Sequence, residues 1–236
     1  MLAKCYIITI NTNTESVLAA KRCISTGNKF GLYINTFEAY TPTHNPLKIL
    51  KNKGININGF KDIEQHSHGD AAAGCFLSHL TLWEKSIELN IPILIFEHDA
   101  VIIDEIPSYI LDGTGFNQLV NIGVPGHDEY KIPKFTGVDL LFSSGGQFKG
   151  THAYAIKPVG ARALIEQAKR TTTAADMFLK TNTFPFLEEL YPWPVSVDPR
   201  FTTIQRGTGH NGTGTPRATG ESGPFVRLDE FGVTRE

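Results

Sequence analysis

Cysteine, net charge and long apolar stretches are all scarce in this chain. Cys5, Cys23 and Cys75 are its three cysteines in 236 residues, an odd number without the paired spacing of a zinc site. That excludes a disulfide-stapled secreted scaffold and points to reduced thiols in a cytosol-like compartment, so the expected location is cytoplasmic. Lys+Arg 22 against Asp+Glu 24 leaves a formal net charge of −2, which offers no basic field for nucleic acid as the main partner. No apolar run reaches the roughly 20 residues that span a bilayer, and Met1-Leu2-Ala3-Lys4 does not open a signal peptide. A phosphate-cradling glycine loop is missing as well. Gly145, Gly146 and Gly150 lead into a strand, whereas such a loop leads into a helix.

What is present is core-forming. A hydrophobic content of 41% with 15 Phe is ample for one large domain, which we place at residues 1–204. The Gly/Thr-rich segment 205–236 is expected to wrap the surface or to order on binding, closing over the site. The centre of the chain is Ile93-Leu94-Ile95-Phe96, followed at once by Glu97-His98-Asp99. A short apolar run without alternation reads as a strand buried on both faces of an α/β sheet. Carboxylates are costly to bury unpaired, so Glu97 and Asp99 belong at the strand's carboxyl end, where open α/β sheets place ligands. At i and i+2 they point roughly the same way, which suits one hard divalent ion and, through it, a diphosphate. An acidic turn without a ligand is the alternative.

Upstream, residues 5–10 predict a strand and Thr14 caps a helix over about 15–26 that Gly27 stops. Residues 30–34 and 36–40 predict two further strands, Asn45-Pro46 starts a helix ending at Gly54, and 55–69 reads as a polar surface loop. Asp70 opens the most regular helix, to about Asn90, with Phe76, Leu80, Trp83 and Ile87 on one stripe. Gly74 inside it marks a close approach to the backbone, by the first strand or by a ligand. His79 flanks the stripe, either as a hydrogen-bonded core residue or as a ligand contact. Downstream, strands are expected at 100–103, 118–122, 150–156 and 195–198, with helices near 107–111, after Pro158 and around Asp176. Residues 123–150 form a long connection with glycine hinges that lines or covers the site.

Three segments in order resemble glycosyltransferase family 25, which includes lipooligosaccharide and collagen galactosyltransferases. They are Gly74-Cys75-Phe76-Leu77-Ser78-His79 with Trp83, then Phe96-Glu97-His98-Asp99, then Gly150-Thr151-His152-Ala153-Tyr154 with Pro158 and Gly160. Asp176-Met177-Phe178-Leu179 is similar to the family's D-x-x-L element. The resemblance implies an α/β fold of GT-A type, with a central mostly parallel sheet flanked by helices and no transmembrane segment. It also implies a UDP-galactose or UDP-glucose donor, Mn²⁺ or Mg²⁺, and a glycan, lipid-linked or protein acceptor. Two departures stand out: His98 replaces a middle acid, and Asn11-Thr12-Asn13-Thr14 lacks the Asp/Arg-rich character usual after the first strand.

On that reading Asp99 and Glu97 hold the metal. His210, in its Gly-rich setting, is a third ligand or a tail residue. Donor contacts fall to Thr9, Asn11, Phe37, Glu38, Gly74, His79, Glu97 and His152. Phe37 and Glu38 face uracil or ribose or simply end a strand, and His152 contacts sugar or is a satisfied strand residue. Asp176 is the base for an inverting transfer, or a helix cap. A degenerate domain that binds nucleotide or glycan without turnover is the competing reading. A metal-dependent phosphohydrolase is less attractive, because only one carboxylate cluster is apparent.

Overall fold

The computed structural model describes residues 2–64, 69–126, 129–198 and 217–219. Strand β1 (Lys4–Thr9) leads into helix α1 (Thr14–Lys29), capped by the Asn13 side chain, which accepts from the Ser16 amide at 3.0 Å. Asn13 therefore holds the cap expected of Thr14. The helix also runs through Gly27 to Lys29. Gly27 is a packing glycine, since a Cβ there would lie 2.7 Å from Ile34 Cδ1, and the left-handed residue that ends the segment is Gly31 at φ +74°. Consequently a single strand, β2 (Ile34–Glu38), replaces the two predicted for residues 30–40.

Helix α2 (Pro46–Asn52) follows, and α3 (Asn58–Glu64) forms where a loop was expected. Helix α4 (Gly69–Leu89) is the long one, and it delivers the chain to β3 (Ile93–Glu97) through Asn90 at φ 53°. The chain then turns at His98-Asp99. Strand β4 (Ala100–Ile102) is not a continuation of β3, for it pairs with β10 (Val195–Val197) in a separate antiparallel ribbon. Between them come α5 (Ser108–Leu111), β5 (Leu119–Asn121), β6 (Glu129–Lys131), β7 (Gly137–Leu140), β8 (Ala153–Ile156), α6 (Pro158–Ala168), α7 (Ala175–Phe178) and β9 (Leu187–Tyr191). Residues 123–150 thus hold two strands. A last strand, β11 (Arg217–Thr219), pairs in parallel with β6.

The main sheet has the order β2-β1-β3-β8-β5-β9-β7. Its first three strands are parallel and β5 is parallel to β9, whereas β8 and β7 run antiparallel to their neighbours. The sheet is mixed rather than mostly parallel. Both faces are covered, which explains the unbroken apolar run of β3. Ile93 and Ile95 enter a core shared with α2, α3, α4, α6 and α7, while Leu94 and Phe96 enter a second core with α1, β4 and α5. Alternate side chains of one strand therefore serve two cores.

Helix α4 is held against the strand edge by its own sequence. The Tyr40 carbonyl stands 2.5 Å from where a Gly74 Cβ would be, so the close approach comes from the segment after β2. Ser78 fastens the same segment, its hydroxyl accepting from the Tyr40 amide at 2.9 Å while donating to the Gly74 carbonyl at 2.9 Å. Gly74→Ala adds helix propensity of about 1 kcal/mol but forces backbone apart, at a cost of about 1–3 kcal/mol. We expect a net loss of stability, seen as a lower urea midpoint with an unchanged slope.

Candidate active site

The carboxyl ends of the three parallel strands lie in register. Glu38 pairs opposite Thr9, and Glu97 opposite Ile8, so Thr9, Glu38 and Glu97 mark one edge of the sheet. Thr9 is buried, Glu38 and Asn11 are exposed, and Phe37 is half-buried with its ring tilted against Tyr40. This edge is where an α/β sheet accommodates a ligand.

Glu97 is held in place by residues from two other elements. His79, fully buried on α4, approaches Glu97 Oε1 through Nε2 at 3.0 Å, and the Thr151 hydroxyl donates to the same oxygen. The other imidazole nitrogen, Nδ1, lies 2.9 Å from the Tyr154 hydroxyl, which accepts from Trp83 Nε1 at 2.8 Å. Indole N–H only donates, so the Tyr154 hydroxyl hydrogen is free to go to His79 Nδ1. Nε2 then carries the hydrogen that is donated to the carboxylate. Burial pushes the Glu97 carboxyl up, but the hydrogen bonds from His79 and Thr151 outweigh it and hold the group below its usual range. Glu97 is ionised at every working pH.

Asp99 is the opposite case. Its backbone carbonyl accepts from the Asp198 amide at 2.9 Å, and the Asp198 carboxylate is paired with Arg22 of α1. Its own carboxylate oxygen Oδ1 is buried without a hydrogen-bond partner among the described residues. Burial, then the charge of Glu97, push the Asp99 carboxyl up to about 8, with Asp198 adding to the repulsion and Arg22 opposing it. An unbonded buried oxygen next to a second carboxylate is an arrangement that a hard cation completes, and the two residues supply only oxygen. The pair fits a divalent ion.

Asp176 comes to the same neighbourhood from the first turn of α7, which packs against α4. It is half-buried, and its Oδ1 accepts from the Met177 amide at 2.8 Å. The N-cap of that short helix is Ala174, so neither Thr173 nor Asp176 caps it. Burial raises the Cys75 thiol well above its usual range, and the charges of Glu97, Asp176 and Asp99 raise it further. Glu97, Asp176 and Asp99 thus all bear on the space around one thiol.

His152 is buried elsewhere on this edge. Glycines surround its ring: a Cβ at Gly123 would lie 2.3 Å from Nε2, and one at Gly150 (φ +107°) 2.9 Å from Nδ1. Glycine at 123 and 150 makes room for the imidazole, and at Gly150 a hinge was expected. Gly74 lies under Tyr40, as described, and His210 lies outside the described residues. Sequence reasoning assigned no role to Thr151, Tyr154 or Cys75. The G-T-x-x-Y spacing carried the first two, and the i, i+4 spacing of Cys75 and His79 carried the third. Tyr154→Phe would leave Trp83 Nε1 without an acceptor and His79 Nδ1 without a donor, inside the core. We expect a stability loss of about 1–3 kcal/mol, measured by urea denaturation.

With that geometry in view, the comparison with known families is decisive. The family model described as "Glycosyltransferase family 25 (LPS biosynthesis protein)" matches residues 3–122, about half of the 236-residue chain. The chain belongs to glycosyltransferase family 25. No curated protein matches it in sequence. The matched stretch runs from β1 to the end of β5 and holds Cys75, His79, Glu97 and Asp99, whereas Thr151, Tyr154 and Asp176 lie beyond it. The protein is therefore a glycosyltransferase with a GT-A-like α/β fold, acting on a sugar donor and an acceptor. Among the described residues, no helix of this enzyme is long and apolar enough to cross a membrane.

Proposed function

We propose that this family 25 enzyme transfers a hexose, galactose or glucose, from a UDP-sugar to a hydroxyl of a glycan, lipid-linked or protein acceptor, with inversion. The observation that carries the reading is the unbonded Asp99 Oδ1 beside an ionised Glu97 at the carboxyl edge of three parallel strands. Glu97 and Asp99 would hold Mn²⁺ or Mg²⁺, with His210 of the C-terminal segment as a third ligand. When bound, such an ion takes up the negative charge that develops on the departing diphosphate.

The chain's own residues do the rest. His79 and Thr151 fix the Glu97 carboxylate so that it needs no reorientation as the donor arrives. Glu38 and Phe37, at the end of β2, meet the ribose and uracil, with Thr9 and Asn11 bordering the same edge and His152 on its far side. Asp176 accepts the proton of the acceptor hydroxyl as its oxygen bonds to the anomeric carbon. The bond from that carbon to the phosphate oxygen breaks on the opposite face, and UDP leaves with the electron pair. The expected closure of segment 205–236 over the donor, which would limit hydrolysis by water, lies outside the described residues apart from Arg217–Thr219. Three free thiols, two of them buried, suit a reducing compartment, and the cytoplasm is the proposed location.

A screen of nucleotide sugars for hydrolysis with Mn²⁺ tests this. A UDP-hexose should be cleaved in preference to GDP-, CMP- and dTDP-sugars. Preference for another nucleotide, or no turnover of any donor, would overturn the assignment of donor class.

A further inference from the structure

A second ion-binding set lies behind the acidic pair. Cys75 Sγ, a His79 ring nitrogen and a Glu97 carboxylate oxygen lie within 4.8 Å of one another. The i, i+4 spacing puts Cys75 and His79 on one face of α4, and β3 ends against that face. Cys75 and Glu97 are half-buried and His79 is fully buried, so the cluster has a protein floor and an open side. The three donors are a thiolate, an imidazole and a carboxylate. That is the chemistry of a borderline-soft ion, whereas the Glu97–Asp99 pair offers oxygen alone. The imidazole is also braced from behind as metal-bound histidines are, its second nitrogen meeting the Tyr154 hydroxyl at 2.9 Å.

We propose that Cys75, His79 and Glu97 form a Zn²⁺-type site, distinct from the oxygen-only pair, with three protein ligands and a fourth position open to solvent or substrate. Binding releases one proton to solvent, from the Cys75 thiol, while the imidazole proton passes from Nε2 to Nδ1 and leaves the Nε2 lone pair to the ion. With Nδ1 protonated, His79 then donates to Tyr154. Glu97 is shared with the acidic pair, so occupancy of one set excludes full occupancy of the other.

Co²⁺, added alone to the full chain, reports directly on a thiolate ligand through an intense near-ultraviolet charge-transfer absorption. The expected result is that band in the wild type, its loss in Cys75→Ser, and affinity weakened by about tenfold or more in that variant. No band in the folded wild type, or a band surviving in Cys75→Ser, overturns the proposal. The wild type provides a second measurement should the variant fail to fold. Zn²⁺ should slow alkylation of Cys75 by iodoacetamide, read by peptide mass, while Cys5 and Cys23 stay buried and unreactive throughout. Alkylation of Cys75 at an unchanged rate overturns it as well. Neither readout uses a nucleotide sugar, so both stand apart from the proposed transfer.

Discussion

Asp99→Ala is expected to lower donor turnover, including slow hydrolysis of the sugar nucleotide, by about a hundredfold or more with the fold intact. A hundredfold corresponds to about 2.7 kcal/mol of barrier, within what a Lewis acid supplies to a departing diphosphate. Asp99 follows the end of strand β3 by two residues, its Oδ1 has no hydrogen-bond partner among the described residues, and Glu97 repels it. Arg22 and a backbone hydrogen bond favour that charge, but burial and Glu97 outweigh them, so its value lies in what it binds.

The Asp99 charge also makes stability depend on pH with a definite sign. With the folded value at about 8 and an ordinary value of about 4, the unfolded chain ionises first as pH rises. The metal-free folded state is therefore penalised progressively through that window, and the penalty levels off above about pH 8. Asp99→Asn removes it. The variant should melt above the metal-free wild type by a margin that widens from pH 5 to pH 8, while its turnover drops. Unchanged turnover in Asp99→Ala would end the metal assignment. A variant no more stable at pH 8 than at pH 5 would mean the carboxylate has a partner after all.

Much of this edge is legible in the amino-acid sequence, for a physical reason. A strand buried on both faces writes itself as an uninterrupted apolar run, and Ile93 to Phe96 do so. The acids that end it are legible because a charge following such a run needs an explanation. What stays hidden depends on partners far along the chain. Strand β9 has two acids at its centre, Glu188 and Glu189, and local pattern gives no reason to bury them. Glu188 accepts from the Asn117 amide and side chain, and Glu189 from Phe142 and Ser143. Those bonds span 46 to 71 residues.

Gly27 misleads for a related reason. A glycine after an apolar stripe signals a helix stop, but the same residue serves where Ile34 and Ile102 press on a helix, and only tertiary packing tells the two apart. The turn that separates β3 from β4 is equally silent, since Ala100-Val101-Ile102 is as strand-like after a turn as before one. His79 stands between two readings, and the geometry joins them: it is a satisfied core histidine whose partner is Glu97, the carboxylate proposed to hold the ion.

Asp176→Asn carries the second large effect: loss of transfer by about 10²–10⁴-fold with UDP affinity near normal. Asparagine keeps the shape and can still accept from the Met177 amide at 2.8 Å, so α7 has no reason to unwind. What it loses is the ability to take a proton from the acceptor hydroxyl. Cys75 offers an independent check on where that charge sits. The Asp176 carboxylate helps hold the Cys75 thiol above its usual range, so neutralising it lets the thiol ionise more readily and react faster with iodoacetamide. A base facing the common space predicts both results together: transfer gone and Cys75 more reactive. Lost UDP binding would make Asp176 a donor-site residue instead. Unchanged Cys75 reactivity would mean its carboxylate faces away from the acids it is proposed to work with.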